Sequence, residues 1–385
     1  MKSLKVLHAY NQHRGGGGAN NATQATIEAS RKNGLNVQVF TRSSSELPHG
    51  IVGRVRAGMG MVFGGQSVKQ FVALMENFRP DIVHVHELFP LVSPWILPQC
   101  TRRGIPVVMS CVDYRMTCPV FIHLYKGKIC NRCVGGHEYW AILRNCRKSL
   151  PESAVMAAYS TLVRTFGLFS NHVSRFIAPS DFAREWLIQN ARIPPRRITT
   201  IAPSVKIPER PADPAAGTYV AFAGRFAQEK GIQTFAEAAR LSGLPFRMAR
   251  HVNSLVTADL PREVEVVVTH NREELDAFYR GARVLVLPSI WFETFGLTGA
   301  EALSHAIPVV ASHIGAISSL IEDGEDGLYF EPGNACDLTE KVKQIWNDPE
   351  ACRRLGRAGR QKAISLWRAE RHFERLKAVY DEVCA

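Results

Sequence analysis

The chain has 385 residues, past the length at which one hydrophobic core keeps growing, so two domains are expected. Apolar residues make up 46% and charged residues 21%, ordinary for a soluble globular protein, and no run approaches the roughly 18 apolar residues that span a bilayer. The formal charge of +12 is scattered in short clusters such as Thr101-Arg102-Arg103-Gly104, without the long basic run of a nucleic-acid arm.

That charge leaves attraction to phosphates, to an anionic membrane surface, or plain solubility open; nucleic acid is not an expected partner. The N-terminal apolar run is too brief for a signal peptide, so a cytoplasmic protein with reduced thiols is expected.

In chain order, Leu4–Tyr10 reads as a first buried strand. A glycine loop and a polar-faced helix over Asn20–Gly34 follow it. Leu35–Thr41 has the period of two of a strand, and Val68–Phe78 reads as a helix stopped by Pro80. Asp81–Glu87 and Ile105–Cys111 are short β-branched strands. Ser153–Val173 has the spacing of an amphipathic helix, core-facing or membrane-facing. Val173–Ser180 is another strand, with Ser180 and Asp181 placed to cap the helix after it.

Ile201–Gly217, with four prolines, is the candidate linker. A second series begins at Thr218–Phe226 and runs through the strands Val264–His270, Arg283–Ser289 and Ile307–Ser312, with helical segments between. From Asp337 onward the pattern is helical. The βα alternation predicts two doubly wound α/β domains with a ligand at the carboxyl ends of their strands. The expected division is 1–205, 206–365, and a C-terminal helix over 366–385 that crosses back to the first domain.

Two motifs carry chemistry. In Pro288–Leu303 a strand leads into a loop with Glu293, then Gly296, then a helix with Glu301. Glycine admits close backbone approach, a helix N-terminus favours phosphate, and carboxylates accept hydrogen bonds from vicinal hydroxyls. In Ala221–Gly231 a strand ends at Gly224 and Arg225, with Lys230 before Gly231; two cations at a strand's carboxyl end suit a diphosphate. Each motif taken alone also fits ordinary surface charge.

Together, in this order and separation, the motifs resemble the retaining glycosyltransferases of family 4, which have the GT-B fold: α/β, two Rossmann-like domains facing a central cleft. Glu293 and Glu301 match the family's E-x7-E signature; Gly224, Arg225, Lys230 and Gly231 match its GR-x4-KG element. The glycines 15–18, the run Arg79–Glu87 and the segment Ile307–Gly333 are similar to the family's as well.

The resemblance implies an enzyme that moves a hexosyl or pentosyl group from a nucleoside diphosphate sugar to a glycan or polyprenyl-linked acceptor, in surface polysaccharide assembly. It implies no cofactor for catalysis. Arg225 and Lys230 would hold the diphosphate, and Glu293 with Thr294, Phe295, Gly296 and Leu297 the donor sugar. Glu301 would take the ribose, and Gly15, Gly16, Gly17 and Gly18 would close over the phosphates. Val112, Asp113 and His86 would form the active-site wall.

The chain departs from the family at Val112, where many members have a histidine that approaches the transferred sugar. Two readings follow: a donor sugar that lacks the hydroxyl the histidine usually meets, such as a pentose or 6-deoxy sugar, or impaired turnover, which keeps a non-catalytic nucleotide-sugar-binding relative as an alternative. A GT-B epimerase is a separate alternative, against which the E-x7-E arrangement argues. Between residues 111 and 146, Cys118-x11-Cys130-x2-Cys133-x12-Cys146 has the spacing of a four-thiolate structural zinc site, and several family subgroups carry a similar Cys-rich insertion. Four reduced thiols remain the other reading. Peripheral contact with the inner face of a membrane is a further expectation.

Overall fold

The computed structural model describes residues 3–13, 17–46, 64–253 and 262–385. They divide into two compact units. Unit 1 is Met1–Tyr125, Cys130–Ile201 and His372–Ala385; unit 2 is Lys126–Ile129 and Ala202–Arg371.

Unit 1 is built on a parallel six-stranded sheet. Its strands are β1 (Lys5–Gln12), β2 (Asn36–Ser43), β3 (Ile82–Val85), β4 (Val107–Ser110), β7 (Arg175–Ala178) and β8 (Ile198–Thr200), in the order β2-β1-β3-β4-β7-β8. Between β4 and β7 the short strands β5 (Leu124–Tyr125) and β6 (Lys128–Ile129) pair with each other. The helices are α1 (Gly18–Lys32), α2 (Gly65–Phe78), α3 (Ile96–Thr101), α4 (Trp140–Leu143), α5 (Leu150–Thr165) and α6 (Asp181–Asn190).

Strand residues alternate between two cores because successive side chains point to opposite faces. Leu7, Ala9, Val83, Val85, Val107 and Met109 enter one core with Phe71 and Met75 of α2 and with Met156, Tyr159 and Val163 of α5. Val6, Ile82, Val108 and Ile177 enter the other, against Leu376, Val379 and Tyr380.

The buried residues of α5, Ser153, Met156, Ala157, Tyr159, Ser160 and Val163, recur at helical spacing, so this helix faces the core. It ends at Thr165, short of the expected Val173, where Gly167 takes a φ of 57° and the chain turns. Ser180 caps α6 as expected, its hydroxyl accepting from the Ala183 N–H at 3.1 Å.

Unit 2 repeats the plan with β9 (Tyr219–Ala223), β10 (Phe246–His251), β11 (Glu265–Thr269), β12 (Ala282–Leu287), β13 (Val309–Ser312) and β14 (Gly327–Phe330), in the parallel order β11-β10-β9-β12-β13-β14. Its helices are α7 (Ile232–Ser242), α8 (Arg272–Gly281), α9 (Leu297–Ser304), α10 (Ala335–Trp346) and α11 (Pro349–Leu366). Tyr219, Ala221, Leu285 and Leu287 face one core; Val220, Phe222, Val284 and Val286 face the other.

The last helix, α12 (Ala369–Cys384), puts Leu376, Val379 and Tyr380 on the second core of unit 1. The Thr26 hydroxyl and His372 Nε2 meet at 3.1 Å beside it.

Candidate active site

In unit 2, β9 and β12 are neighbours at the middle of the sheet, and both strand–loop motifs leave from their carboxyl ends. Lys230 and Glu293 meet there, Nζ to Oε1, at 2.6 Å, and the Ser289 hydroxyl donates to the same oxygen at 2.7 Å. Lys230 also lies over the Trp291 ring, 5.4 Å from its centroid, a favourable cation–π position. Burial works to raise the Glu293 carboxyl. The Lys230 charge and the hydrogen bonds from Lys230 and Ser289 outweigh it, and the group is held below the ordinary range.

Backbone geometry fixes this pair. Gly231 has a φ of 70°, and a Cβ there would stand 1.7 Å from the Pro288 carbonyl oxygen, so the Lys230 loop and the Pro288 loop touch main chain to main chain. Arg225 is half exposed, with Glu229 at 3.3 Å beside it. Gly224, one residue earlier, donates its N–H to Ala249. Thr294 and Phe295 lead to Gly296, at a φ of 97°, which precedes Leu297 at the start of α9 and offers no capping side chain.

Glu301, on α9, is more occupied than the spacing foretells. Arg272 donates to Oε1 at 2.5 Å and the Tyr279 hydroxyl to Oε2 at 2.9 Å. Each oxygen keeps a further lone pair, so one more hydroxyl can be accepted at each. Burial and then the Glu301 charge push the Tyr279 phenol well up, which keeps it a donor. Arg272, Tyr279 and Ser289 were not singled out from sequence. The signal for the first was its place at the start of α8, directly after the cap Asn271.

In unit 1 the carboxyl ends of β1, β3 and β4 hold an ion network. Arg115, with its side chain 2% exposed, donates from Nε and Nη2 to the two oxygens of Asp113 at 2.8 and 2.6 Å. Its Nη2 also lies 2.9 Å from Glu87 Oε1, and that same oxygen is 2.7 Å from His13 Nε2. Burial raises the Glu87 carboxyl, but Arg115 and His13 bring it below the ordinary range. Asp113 therefore stands at the edge with its oxygens turned to Arg115. His13 and Arg115 were not foreseen.

Gly17 and Gly18 open α1 at this edge, while Gly15 and Gly16 lie outside the described residues. His86, expected at the wall, follows β3 directly and is buried at 2% exposure, on the same sheet face as His84. Glu87, one residue on, takes the edge position.

His8, His84 and His86 form a group whose ligand atoms lie within 4.8 Å of one another. His8 Nδ1 and His86 Nε2 are 3.0 Å apart; His84 bonds the Tyr380 and Ser110 hydroxyls at 2.7 and 2.9 Å. The His84 and His86 rings stack with centroids 4.1 Å apart, and His8 stacks on His86. Imidazole lone pairs lie in the ring planes, so stacked rings aim them side by side rather than at one point; the trio fits a hydrogen-bonded core better than a metal site.

The four insertion cysteines are mutual neighbours. Burial, then Cys118, Cys146 and Cys130, push the Cys133 thiol up to about 12. Arg144 donates to the Cys130 sulfur at 3.4 Å. Among the described residues these four sulfurs do not all come within 4.8 Å of one another.

Two family models account for most of the chain. Residues 206–362 match glycosyl transferases group 1, and residues 17–204 match the glycosyl transferase 4-like domain. The chain belongs to the group 1 glycosyltransferases. It is 26% identical over 319 residues to a sulfoquinovosyl transferase of Arabidopsis thaliana, covering 78% of this chain and 56% of that one. It is 27% identical over 169 residues to an uncharacterized glycosyltransferase of Methanocaldococcus jannaschii, covering 42% and 47%. This glycosyltransferase chain thus spans about half the length of those curated relatives.

Among solved structures it is similar to the sucrose-phosphate synthase of Thermosynechococcus elongatus, with TM-score 0.75, 18% identity and 99% of both chains covered. It is also similar to the Anabaena protein HepE, solved with UDP and glucose, with TM-score 0.68, 15% identity and 98% and 99% covered. The fold is GT-B.

Proposed function

We propose that this chain transfers a glycosyl group from a nucleoside diphosphate sugar to a glycan or polyprenyl-linked acceptor in surface polysaccharide assembly, retaining the anomeric configuration. The observation that carries the reading is the Lys230–Glu293 pair at 2.6 Å, locked at the middle of the unit 2 sheet by the close approach of Gly231 to Pro288. A cation and a carboxylate side by side at that edge match the two halves of such a donor. Lys230 and the half-exposed Arg225 meet the diphosphate and stabilise the charge that develops on it as the glycosidic bond breaks. Glu293, held ionised, accepts from sugar hydroxyls, and Glu301, positioned by Arg272 and Tyr279, accepts from the ribose. The UDP and glucose bound by the Anabaena neighbour support the donor class.

The experiment is release of nucleoside diphosphate from a panel of UDP-, GDP- and ADP-sugars. Glu293→Ala is expected to lower kcat/KM by roughly a hundredfold or more, as loss of a charged group that acts at the transition state does. Unchanged turnover in that variant rejects the site; no turnover by the wild type on any donor rejects the transferase reading in favour of a non-catalytic relative.

The reading places the enzyme in the cytoplasm against the inner face of the membrane. No helix among the described residues is long and apolar enough to cross a membrane. Support for peripheral contact comes from exposed Tyr139, Leu143 and Leu150, the first residue of α5, near Arg147 and Lys148 in sequence, rather than from the apolar face of α5, which is spent on the core. For the insertion, Cys118, Cys130, Cys133 and Cys146 are proposed to draw together around a structural zinc, for which four thiolates are a fitting donor set. Metal analysis of protein purified without added zinc tests it: about one equivalent supports the site, and a content near zero rejects it.

A further inference from the structure

One face of α8 carries charge where a helix packed on a sheet ordinarily carries apolar residues. Arg272, Asp276 and Tyr279 stand at helical spacing on that face, and Arg272 and Tyr279 both reach Glu301 of α9. Asp276, Tyr279 and Glu301 are all buried. Burying two carboxylates with a guanidinium is a poor route to stability, since apolar residues of similar volume commonly serve as well or better. Stability alone does not explain the arrangement.

Its geometry is specific. A guanidinium beside a carboxylate ordinarily pairs with it through two parallel N–H bonds. Arg272 does not treat Glu301 in that way. It gives Oε1 one bond, from Nη1 at 2.5 Å, and spends Nε on Asp276 Oδ1 at 2.8 Å. Its Nη2 is buried and has no hydrogen-bond partner among the described residues. Tyr279 supplies the bond to the other Glu301 oxygen, at 2.9 Å. Each Glu301 oxygen is thus held by one donor and keeps one lone pair. A two-bonded Arg272 would put Nη2 on Oε2 beside Tyr279 and fill that oxygen. The other neighbours of Asp276 are Lys206 Nζ at 3.4 Å and His305 Nε2 at 3.3 Å, both farther off than Arg272.

We propose that Asp276 is a positioning residue for nucleotide recognition: by holding Arg272 at Nε it keeps the guanidinium from closing on Glu301 with two bonds, and so keeps both Glu301 oxygens open to the 2′ and 3′ hydroxyls of the donor's ribose. The inference rests on the part of the reading above that gives Glu301 the ribose, and every residue in it belongs to unit 2. Asp276 acts only through Arg272. Without it, Arg272 turns onto Glu301 as a fork, and the ribose must compete with that fork for the carboxylate.

The test is calorimetric binding of nucleoside diphosphates to the full chain, with turnover measured separately. The probes are UDP, GDP or ADP, whichever the wild type binds best, and the 2′,3′-dideoxy form of the same nucleotide. The wild type should bind the ribose form about tenfold or more tightly than the dideoxy form. Asp276→Ala should weaken binding of the ribose form by about tenfold or more and bind the dideoxy form within about twofold of the wild type. Asp276→Asn, which keeps an oxygen able to accept from Nε, should recover most of the loss. In an Arg272→Ala background Asp276→Ala should cost nothing further, because its effect passes through Arg272. A merely structural defect would weaken both nucleotides alike and persist in that background.

Equal weakening on the two nucleotides, a further loss in the Arg272→Ala background, or a loss on the ribose form no greater than about twofold overturns the inference. A wild type that binds both forms equally overturns it as well, together with the ribose role of Glu301. Turnover enters none of these outcomes, so a chain that binds as expected but transfers no sugar loses the transferase reading alone. Thermal unfolding checks the variants. Should Asp276→Ala fail to fold, Asp276→Leu, which fills the space without offering an acceptor, carries the same expectation.

Discussion

The two units share a six-stranded parallel sheet with helices packed on it, yet they arm their carboxyl edges differently. Unit 2 relies on main chain. Gly231 approaches Pro288 so closely that the Lys230–Glu293 pair is set by backbone contact, and its charged groups lie within a few residues of each other in two short motifs. Unit 1 relies on side chains. His13, Glu87, Asp113 and Arg115 come from three different strand ends and are held by a relay of ion pairs. An edge made by backbone tolerates almost no change at its glycines, whereas one made by a relay tolerates substitution at the surface and fails from its buried member outward.

The widest gap between the units should appear at their glycines. Gly231→Ala forces a Cβ against the Pro288 carbonyl in a left-handed conformation, and a loss of about 3 kcal/mol or more is expected in urea unfolding of the full chain. Gly17→Ala in unit 1 meets no atom of the described residues within 4 Å, so backbone strain of about 1–3 kcal/mol is the cost expected there, at a φ of 116° and ψ of 172°. Equal losses at the two positions would break the contrast.

The same contrast explains what could be read before the structure. The βα alternation, the Ser180 cap and the pairing of Gly-Arg with Lys-Gly at one strand end were legible because each depends on residues near in sequence. The Lys230–Glu293 contact was implied only as two motifs of one site, since 63 residues separate them. Arg115 could not be read: in a run with Asp113 and Tyr114 it looks like any loop cation, and only the burial of its guanidinium between two carboxylates gives it a role. The burial of His86 could not be read either, because a strand's period of two gives the shared face of His84 and His86 but not which side of the sheet that face covers.

Acidification should sharpen the comparison from the other side, because the histidines are unevenly buried. In unit 1, burial holds His84 and His86 well below the ordinary value, lowers His8 to about 3, and lowers His123 to about 4. In unit 2, His305 is the counterpart, lowered by burial to about 4. A depressed histidine stays neutral in the folded state while the unfolded chain takes up a proton below about pH 6.5, so its contribution is intact above that pH and is lost as pH falls toward the folded value. For His8 alone the loss between pH 6.5 and 5 is about 2 kcal/mol.

Glu293, held below the ordinary carboxylate value, loses its contribution only at more acid pH, through the folded value below about 4.5. Hydrogen exchange corrected for intrinsic rates should therefore show β1 and β3 losing protection between pH 7 and 5 more steeply than β9 and β12. His84→Asn, which removes one of the three stacked rings, should flatten the fall in unit 1 and leave unit 2 unchanged. A fall of the same steepness in both units would mean that the histidine core under α12 does not set the acid limit of unit 1.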